Sequence, residues 1–426
     1  MLDGGGVCDD LLLPGNRGCV SGDVSFIVPA FNAATTLRAS VASIRASAPG
    51  AELVIVDDGS LDDTRALAEE LADVMVSRPC QAGAARARND ACRRASGSVY
   101  FFVDADVTVN PAAVSGLIAH IEEGADAAFG AYGPWAPDAV RNAATDYKNL
   151  LHHFTHLQGA TSRARTFWSG FGVITCAAFE AVGGFDPAVT RSADVEDIHL
   201  GYRLEAAGYR IVLDPRWQVC HHKRYTPLGL VRSDLFHRAI PWTRAMVELR
   251  PSGLDLTLEQ HSILSSSALW LALAASTATV AVPLALSIAA PAALAWLWWN
   301  RRFLACASHR LGRVGALRCA GFLAAFHLYA PMGGALGLAF AVLRRPNRSI
   351  RNSLSLDLLG ERLPSALELS VAVIADPTSG LAALDHLPDP SPWWELVVVA
   401  TEEPSALPPG ASYFQAPPGA RPNGLR

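Results

Sequence analysis

Charge and paired cysteines are what this chain has least of. Only 18% of its 426 residues are Asp, Glu, Lys or Arg, half are hydrophobic, and the mean hydropathy is +0.22. That is too apolar for an ordinary soluble protein and implies membrane segments. A net charge of −5 carries no basic excess, which excludes nucleic acid as a partner. The eight cysteines, at 8, 19, 80, 92, 176, 220, 306 and 319, include no C-x-x-C pair. They exclude a disulfide framework and a zinc site, and read as reduced thiols in a cytosolic setting. The turn after the first strand-like run reads "PAFNAAT", without G-x-G-x-x-G, so a dinucleotide-dependent oxidoreductase is excluded. Residues 1–22 lack a charged start and a long apolar core, which excludes a signal peptide and leaves the expectation of a disordered leader.

What is present begins at Val24, where short apolar runs alternate with helical stretches. "VSFIVPAF" (24–31), "ELVIVDDGS" (52–60) and "SVYFFVDAD" (98–106) read as strands. Between them, 34–47 places Leu37, Val41 and Ile44 on one helical face, 63–73 spaces Leu67 and Leu71 by four, and 82–96 is a small-residue helix. Strands with near-continuous apolar runs, alternating with helices, predict a sheet with parallel strands covered on both faces. Ligands bind such sheets at the carboxyl ends of the strands, where Asp57, Asp58, Asp104 and Asp106 all fall. A strand that ends on two carboxylates one residue apart can close on a turn or present hard oxygen ligands to a divalent cation. Four acids at one edge favour a shared crevice.

Beyond Ser262 the composition shifts. Residues 263–299 and 319–343 contain no Asp, Glu, Lys or Arg, and the first stretch exceeds the ~20 residues of one membrane span. Pro283 and Pro291 interrupt the first, "APMGG" (330–334) the second. Arg301, Arg302, Arg310, Arg313 and Arg318 lie between the stretches; Arg344, Arg345, Arg348 and Arg351 follow. Cytoplasmic loops collect such residues. Hairpins broken at Pro283 or Pro291, and at Pro331–Gly334, would keep every cluster on the cytoplasmic side.

The motifs occur in a telling order: "FIVPAFN" (26–32), "VIVDDGSLDDT" (54–64), "GAARARNDA" (83–91), "FFVDADV" (101–107), "GGFDP" (183–187) and "EDIHLGYRLEAAGYRI" (196–211). Together they resemble the family 2 glycosyltransferases, inverting enzymes with the GT-A fold, over residues 24–225. The resemblance implies a doubly wound mixed α/β sheet spanning 23–250, followed by membrane-associated helices over 263–343. It also implies a nucleotide-sugar donor, specifically a UDP-sugar, a glycan or lipid-linked acceptor, and Mg²⁺ or Mn²⁺. The expected location is the cell membrane with the catalytic domain facing the cytoplasm.

By the same resemblance, Asp106 is the metal ligand and Asp104 the nucleotide-side contact, while Asp57 and Asp58 receive the base or ribose. Pro29, Phe31 and Asn32 wall the base pocket. Gly83 and Arg88, near a helix start, favour the anionic diphosphate. Asp197 is the general base that inversion needs, with Glu196 its neighbour near the acceptor. Either His221 or His222 completes the metal site, since strand neighbours point opposite ways. Trp168 and Gly170 belong to the acceptor wall. There the chain departs from the family: "GFGVITCAAFEAV" has Cys176, Ala177 and Ala178 where basic residues are common.

Two other functions compete. Transfer to a polyprenyl phosphate would need no base, against the presence of Glu196 and Asp197; a non-catalytic scaffold would not need every acid. The tail, 368–426, lays out strand, helix, strand like the start of the chain, and "PPGARPNGLR" (417–426) echoes "AGAARARNDA". It reads as a partial, degenerate copy of the donor-binding half, with Ala400–Thr401 in place of Asp57–Asp58.

Overall fold

The computed structural model describes residues 24–135, 137–157, 161–187, 195–249, 260–278, 286–343, 370–375, 395–400 and 412–415. They form two compact units divided after Leu343. The leader, the segment joining the units and the 417–426 echo lie outside the described residues.

The first unit opens with β1 (Val24–Ala30), α1 (Leu37–Ser47), β2 (Glu52–Asp57), α2 (Thr64–Leu71), β3 (Val74–Ser77), α3 (Ala84–Cys92) and β4 (Val99–Val103). These strands are parallel, in the order β3-β2-β1-β4. Both faces are buried, which explains the unbroken apolar runs. Phe26 and Val28 point into one core with Leu37, Val41 and Ile44 of α1; Ile27, Val54 and Val56 point into the other with Ala85, Ala87 and Ala91 of α3. Phe26 stacks on Phe101 at 4.8 Å. The half-exposed β3 has no apolar face of its own strong enough to announce a strand.

The second half supplies β5 (Val107–Thr108), α4 (Pro111–Glu122), β6 (Ala127–Tyr132), α5 (Ala143–Leu157), β7 (Ser162–Ala164), β8 (Phe171–Thr175), α6 (Cys176–Ala181), α7 (Glu196–Ala206) and β9 (Ile211–His221). β8 runs antiparallel to β4 and β6, β9 parallel to β6, and β5 and β7 antiparallel to β9. The sheet is therefore mixed, as the resemblance led one to expect. β9 continues well past "YRIVLDP", because the register against β6 shifts between Phe129 and Ala131 and Pro215 sits in the irregularity, where no ladder bond is lost.

Helices follow: α8 (Pro227–Arg232), a π-helical stretch (Ser233–Ala239), α9 (Ile240–Leu249), α10 (Gln260–Ala278) and α11 (Leu286–Leu343). Within α11, Trp296 Nε1 donates to His327 Nδ1 at 3.0 Å. Thirty-one residues of straight helix would separate them by about 46 Å. α11 is therefore two antiparallel arms turned at Gly312, whose φ of 70° and ψ of 177° only glycine adopts readily. Pro291 and Pro331 lie inside the arms, so the expected break at Pro331–Gly334 is corrected: neighbouring helices hold the chain helical through it. Asn300 Nδ2 donates to Ser265 Oγ at 3.2 Å, which closes α10 against the first arm as a hairpin. Segment Ser287–Ala341 is long and apolar enough to cross a membrane, by length and composition.

The arms pack on α5, burying Tyr147, Leu150, Phe303 and Leu323 in a third core. Each such side chain contributes about 1.5–3 kcal/mol. Lys148 of α5 and Tyr329 of α11 both bind the buried Asp234 carboxylate. The outward faces keep Leu294, Trp298, Met332 and Leu336 exposed.

The second unit is a parallel sheet of β10 (Ser370–Ala375), β11 (Glu395–Ala400) and β12 (Ser412–Gln415), in that order. Its ladder begins Ser370↔Glu395 and ends Ala375↔Ala400. The β1–β2 ladder begins Ser25↔Glu52 and ends Ala30↔Asp57.

Candidate active site

The parallel strands put the ends of β1, β2 and β4 along one edge. Asn32 sits just past β1 with φ 49°, a left-handed conformation that Asn tolerates better than most. Its backbone N–H donates to Ser60 Oγ at 2.9 Å and its side-chain oxygen accepts from Leu61 N at 2.9 Å. The "PAFN" and "DDGS" turns are thus tied together, with Phe31 exposed at the rim and Pro29 half-buried behind it. Asp57 accepts from Ser60 N at 3.1 Å. Asp58 is occupied within the protein: its two oxygens accept from Ala82 N at 3.0 Å and Gly83 N at 2.8 Å, and Arg78 lies 3.2 Å away. Asp58 therefore shapes the loop before α3, and burial raises its pKa despite these donors.

Arg88 is the hub. One guanidinium nitrogen donates to Glu196 Oε1 at 2.6 Å and another to Asp104 Oδ1 at 2.7 Å. Burial opposes its charge, but Asp104 and Glu196 more than offset this and raise its pKa. Phe185 of "GGFDP" covers the guanidinium, 5.5 Å from ring centre to Cζ. Neighbouring Asn89 holds that loop by donating to Phe185 O at 2.8 Å and accepting from Phe185 N at 2.9 Å. The "ARARN" and "GGFDP" motifs are one packed unit.

Residues 168–170 join the two acidic groups. Asp104 N donates to Gly170 O at 3.2 Å, while Ser169 donates to Asp197 Oδ2 from its N at 3.2 Å. A Cβ on Gly170 would come within 2.8 Å of the Trp168 ring, so only glycine fits that approach. Ile198 N also donates to Asp197 at 2.8 Å. Even so, burial and the Glu196 charge push the Asp197 pKa up to about 7. A carboxylate so poised suits general-base chemistry near neutral pH.

Asp106 is fixed by a long-range pairing. Val107 pairs with His221, and His222 N donates to Asp106 O at 2.8 Å. His221 faces inward, its Nε2 3.5 Å from Asp106 Oδ2 and its ring stacked on Tyr132 at 4.2 Å. His222 points away, to Thr108 Oγ1 at 3.0 Å. Burial works against an ionised Asp106, but the His221 charge leads in holding its pKa low, at about 2. Among the described residues no group of three or more His, Cys, Asp and Glu could enclose a metal. Asp106 and His221 alone are a sparse oxygen–nitrogen pair. That fits Mg²⁺ or Mn²⁺, which take few protein ligands and complete their shell with phosphate and water.

Sequence reasoning missed Tyr132, which also forms an edge-to-face contact with Trp168 at 4.3 Å. An aromatic in an apolar strand reads as core. Ser169 carried no signal either.

Residues 25–183 match the glycosyl transferase family 2 model. The succinoglycan biosynthesis protein ExoA of Rhizobium meliloti (strain 1021) is 28% identical over 250 residues, 52% of this chain and 73% of that protein. UDP-Glc:alpha-D-GlcNAc-diphosphoundecaprenol beta-1,3-glucosyltransferase WfgD of Escherichia coli is 38% identical over 87 residues, 20% of this chain and 34% of that protein. Among solved structures, the mannosyltransferase of Pyrobaculum calidifontis in complex with GDP-Man and Mn²⁺ aligns with a TM-score of 0.43 and 20% identity, covering 76% of this chain and 86% of that one.

Proposed function

We propose that this chain, which carries a family 2 glycosyltransferase domain, is an inverting transferase moving a sugar from a nucleotide diphosphate to a hydroxyl of a glycan or glycolipid at the cytoplasmic face of the membrane. The observation that carries this reading is the Arg88 fork. One buried guanidinium spaces the D-x-D turn from the Glu196–Asp197 pair, so a donor bound at the first meets an acceptor activated at the second.

In this reading Asp57 receives the nucleoside, with Pro29, Phe31 and Asn32 as its walls, and Asp58 and Gly83 hold the loop that faces it. Arg88 orients both acids and does not itself grip the diphosphate. Asp106 and His221 would hold Mg²⁺ or Mn²⁺, which neutralises charge on the departing diphosphate. Asp197 takes the acceptor proton while the hydroxyl attacks from the face opposite the leaving group, and Trp168 and Gly170 line its approach. The raised pKa of Asp197 favours a hydroxyl acceptor over a phosphate, which needs no base. A UDP-sugar donor is supported by the substrate named for the Escherichia coli relative. The exposed apolar faces of α10 and α11 support membrane association. The second unit's strand order and register support a partial copy of β1–β2–β3 that binds no nucleotide.

The test is product stereochemistry. With a panel of nucleotide sugars, Mn²⁺ and membrane extract, NMR of the product should show an anomeric configuration opposite to the donor's. Retention, or hydrolysis with no acceptor product from any donor, would refute the reading.

A further inference from the structure

We propose that a cavity where the Gly312 turn meets the start of α5 binds the phosphate group of an anionic membrane lipid. The cavity measures about 310 Å³, and its wall brings Arg141 and Asp146 together with Arg310, Leu311, Val314 and Arg318. It shares no residue with the crevice that holds Asp57, Asp104 and Asp197, so it goes beyond the transferase reading and rests only on its membrane-association part.

The charges select an anion. Arg141 pairs with Asp146 at 3.1 Å and with Asp138 at 3.4 Å, which commits the carboxylate on the wall and the one beside it. Arg310 and Arg318 have no ion pair among the described residues, and no Asp or Glu occurs between Glu259 and Asp357 to provide one. With Arg141 committed to Asp138 and Asp146, Arg310 and Arg318 are left around a concave space as guanidinium groups without an ion pair among the described residues. Guanidinium forks match phosphate oxygens in geometry as well as charge.

The rim selects a lipid. Val314 on the wall is 65% exposed, Leu311 adds to the apolar wall, and Leu317, next to Arg318 in the chain, is 76% exposed. A free anion would leave that surface in water; a lipid headgroup seated on Arg310 and Arg318 would bring acyl chains across it. On the preceding arm Trp298 is 63% exposed with Arg301 stacked on it at 3.8 Å, the aromatic-plus-basic pairing of a membrane interface. Basic pockets beside membrane helices on the cytoplasmic side are suited to anionic headgroups.

The experiment uses the full chain in a neutral detergent, titrated separately with phosphatidylglycerol, phosphatidylcholine and inorganic phosphate and read by native mass spectrometry. One phosphatidylglycerol should be retained, with at least tenfold weaker retention in the Arg310→Gln/Arg318→Gln variant and no change in Arg302→Gln. Each single variant should weaken retention at least threefold, which keeps the test decisive if the double variant does not fold. Equal retention by the variants, equal retention of phosphatidylcholine, or displacement of the lipid by equimolar phosphate would overturn the proposal. Its failure would leave donor turnover and product stereochemistry untouched, and so is distinguishable from failure of the transferase reading.

Discussion

Arg88 and Glu196, 108 residues apart, are joined at 2.6 Å in the interior, and the same guanidinium holds Asp104 at 2.7 Å. Removing it strands a buried carboxylate. Arg88→Ala should destabilise the protein by about 3 kcal/mol, the lower end for a broken buried pair because Asp104 is a third exposed. Arg88→Lys keeps the charge but has no fork to span both acids, so transfer should still fall. Thermal unfolding and turnover of the two variants check this; native-like turnover in Arg88→Lys would show that the fork is dispensable.

Transfer should follow the ionisation of Asp197. Burial and the Glu196 charge push its pKa up to about 7, so its carboxylate is protonated below that pH. The rate should fall about tenfold per unit as pH drops beneath it. Glu196 charge helps raise that pKa, so Glu196→Gln should move the acidic limb to lower pH. Asp197→Asn should abolish the limb and lose ~10²–10⁴-fold in transfer while still binding donor. A native profile flat from about pH 5.5 to 8 would place the base elsewhere.

Asp106→Ala should abolish metal-dependent transfer and leave the fold intact, because this side chain contributes charge rather than packing. His221→Ala should raise the Mn²⁺ concentration for half-maximal turnover by about 10-fold or more, in the range expected for weakening a metal site. His222→Ala should leave that concentration within about twofold, since its ring faces Thr108. Equal effects from the two histidines would contradict the inward placement of His221.

Gly312→Ala tests the turn within α11. No atom lies within 4 Å of the added Cβ, so the penalty is backbone conformation alone. It should be about 1–3 kcal/mol, seen as a lower unfolding temperature of the full chain in detergent. No change would mean that the turn tolerates an ordinary residue.

Truncation after Arg351 should leave membrane-bound transferase activity largely unchanged, since the tail is a separate unit. Lost turnover in a truncated protein that folds and inserts would reveal a role for it.

Local signals in the sequence were readable because they repeat at the helix or strand period. Leu37, Val41 and Ile44 mark the buried face of α1. Asp57, Asp104 and Asp106 fall at or just past the ends of β2 and β4, as the apolar runs before them implied. What local patterning could not convey was set by distant pairings. The choice between His221 and His222 depends on β9 meeting β5 across more than a hundred residues. Asp58 reads like Asp57 until the Ala82 and Gly83 amides are seen to claim it. Prolines drew attention in the apolar region, yet the arm turned at a glycine, because Pro331 is tolerated inside a packed helix while φ near +70° is not open to most residues.

The two-residue pairing between β5 and β9 also has a bearing on how the protein is made. Chains emerging from the ribosome fold N-terminal parts first, and the four parallel strands β1 to β4 are complete in the chain by Val103. Asp106, however, is held against β9 by Val107↔His221, Thr108↔Cys220 and the His222 amide. A nascent chain that has not yet exposed residue 222 has the four parallel strands but lacks the pairing that holds the Asp106 turn. The Asp106 turn is therefore set late in translation, after the parallel strands beside it have been made.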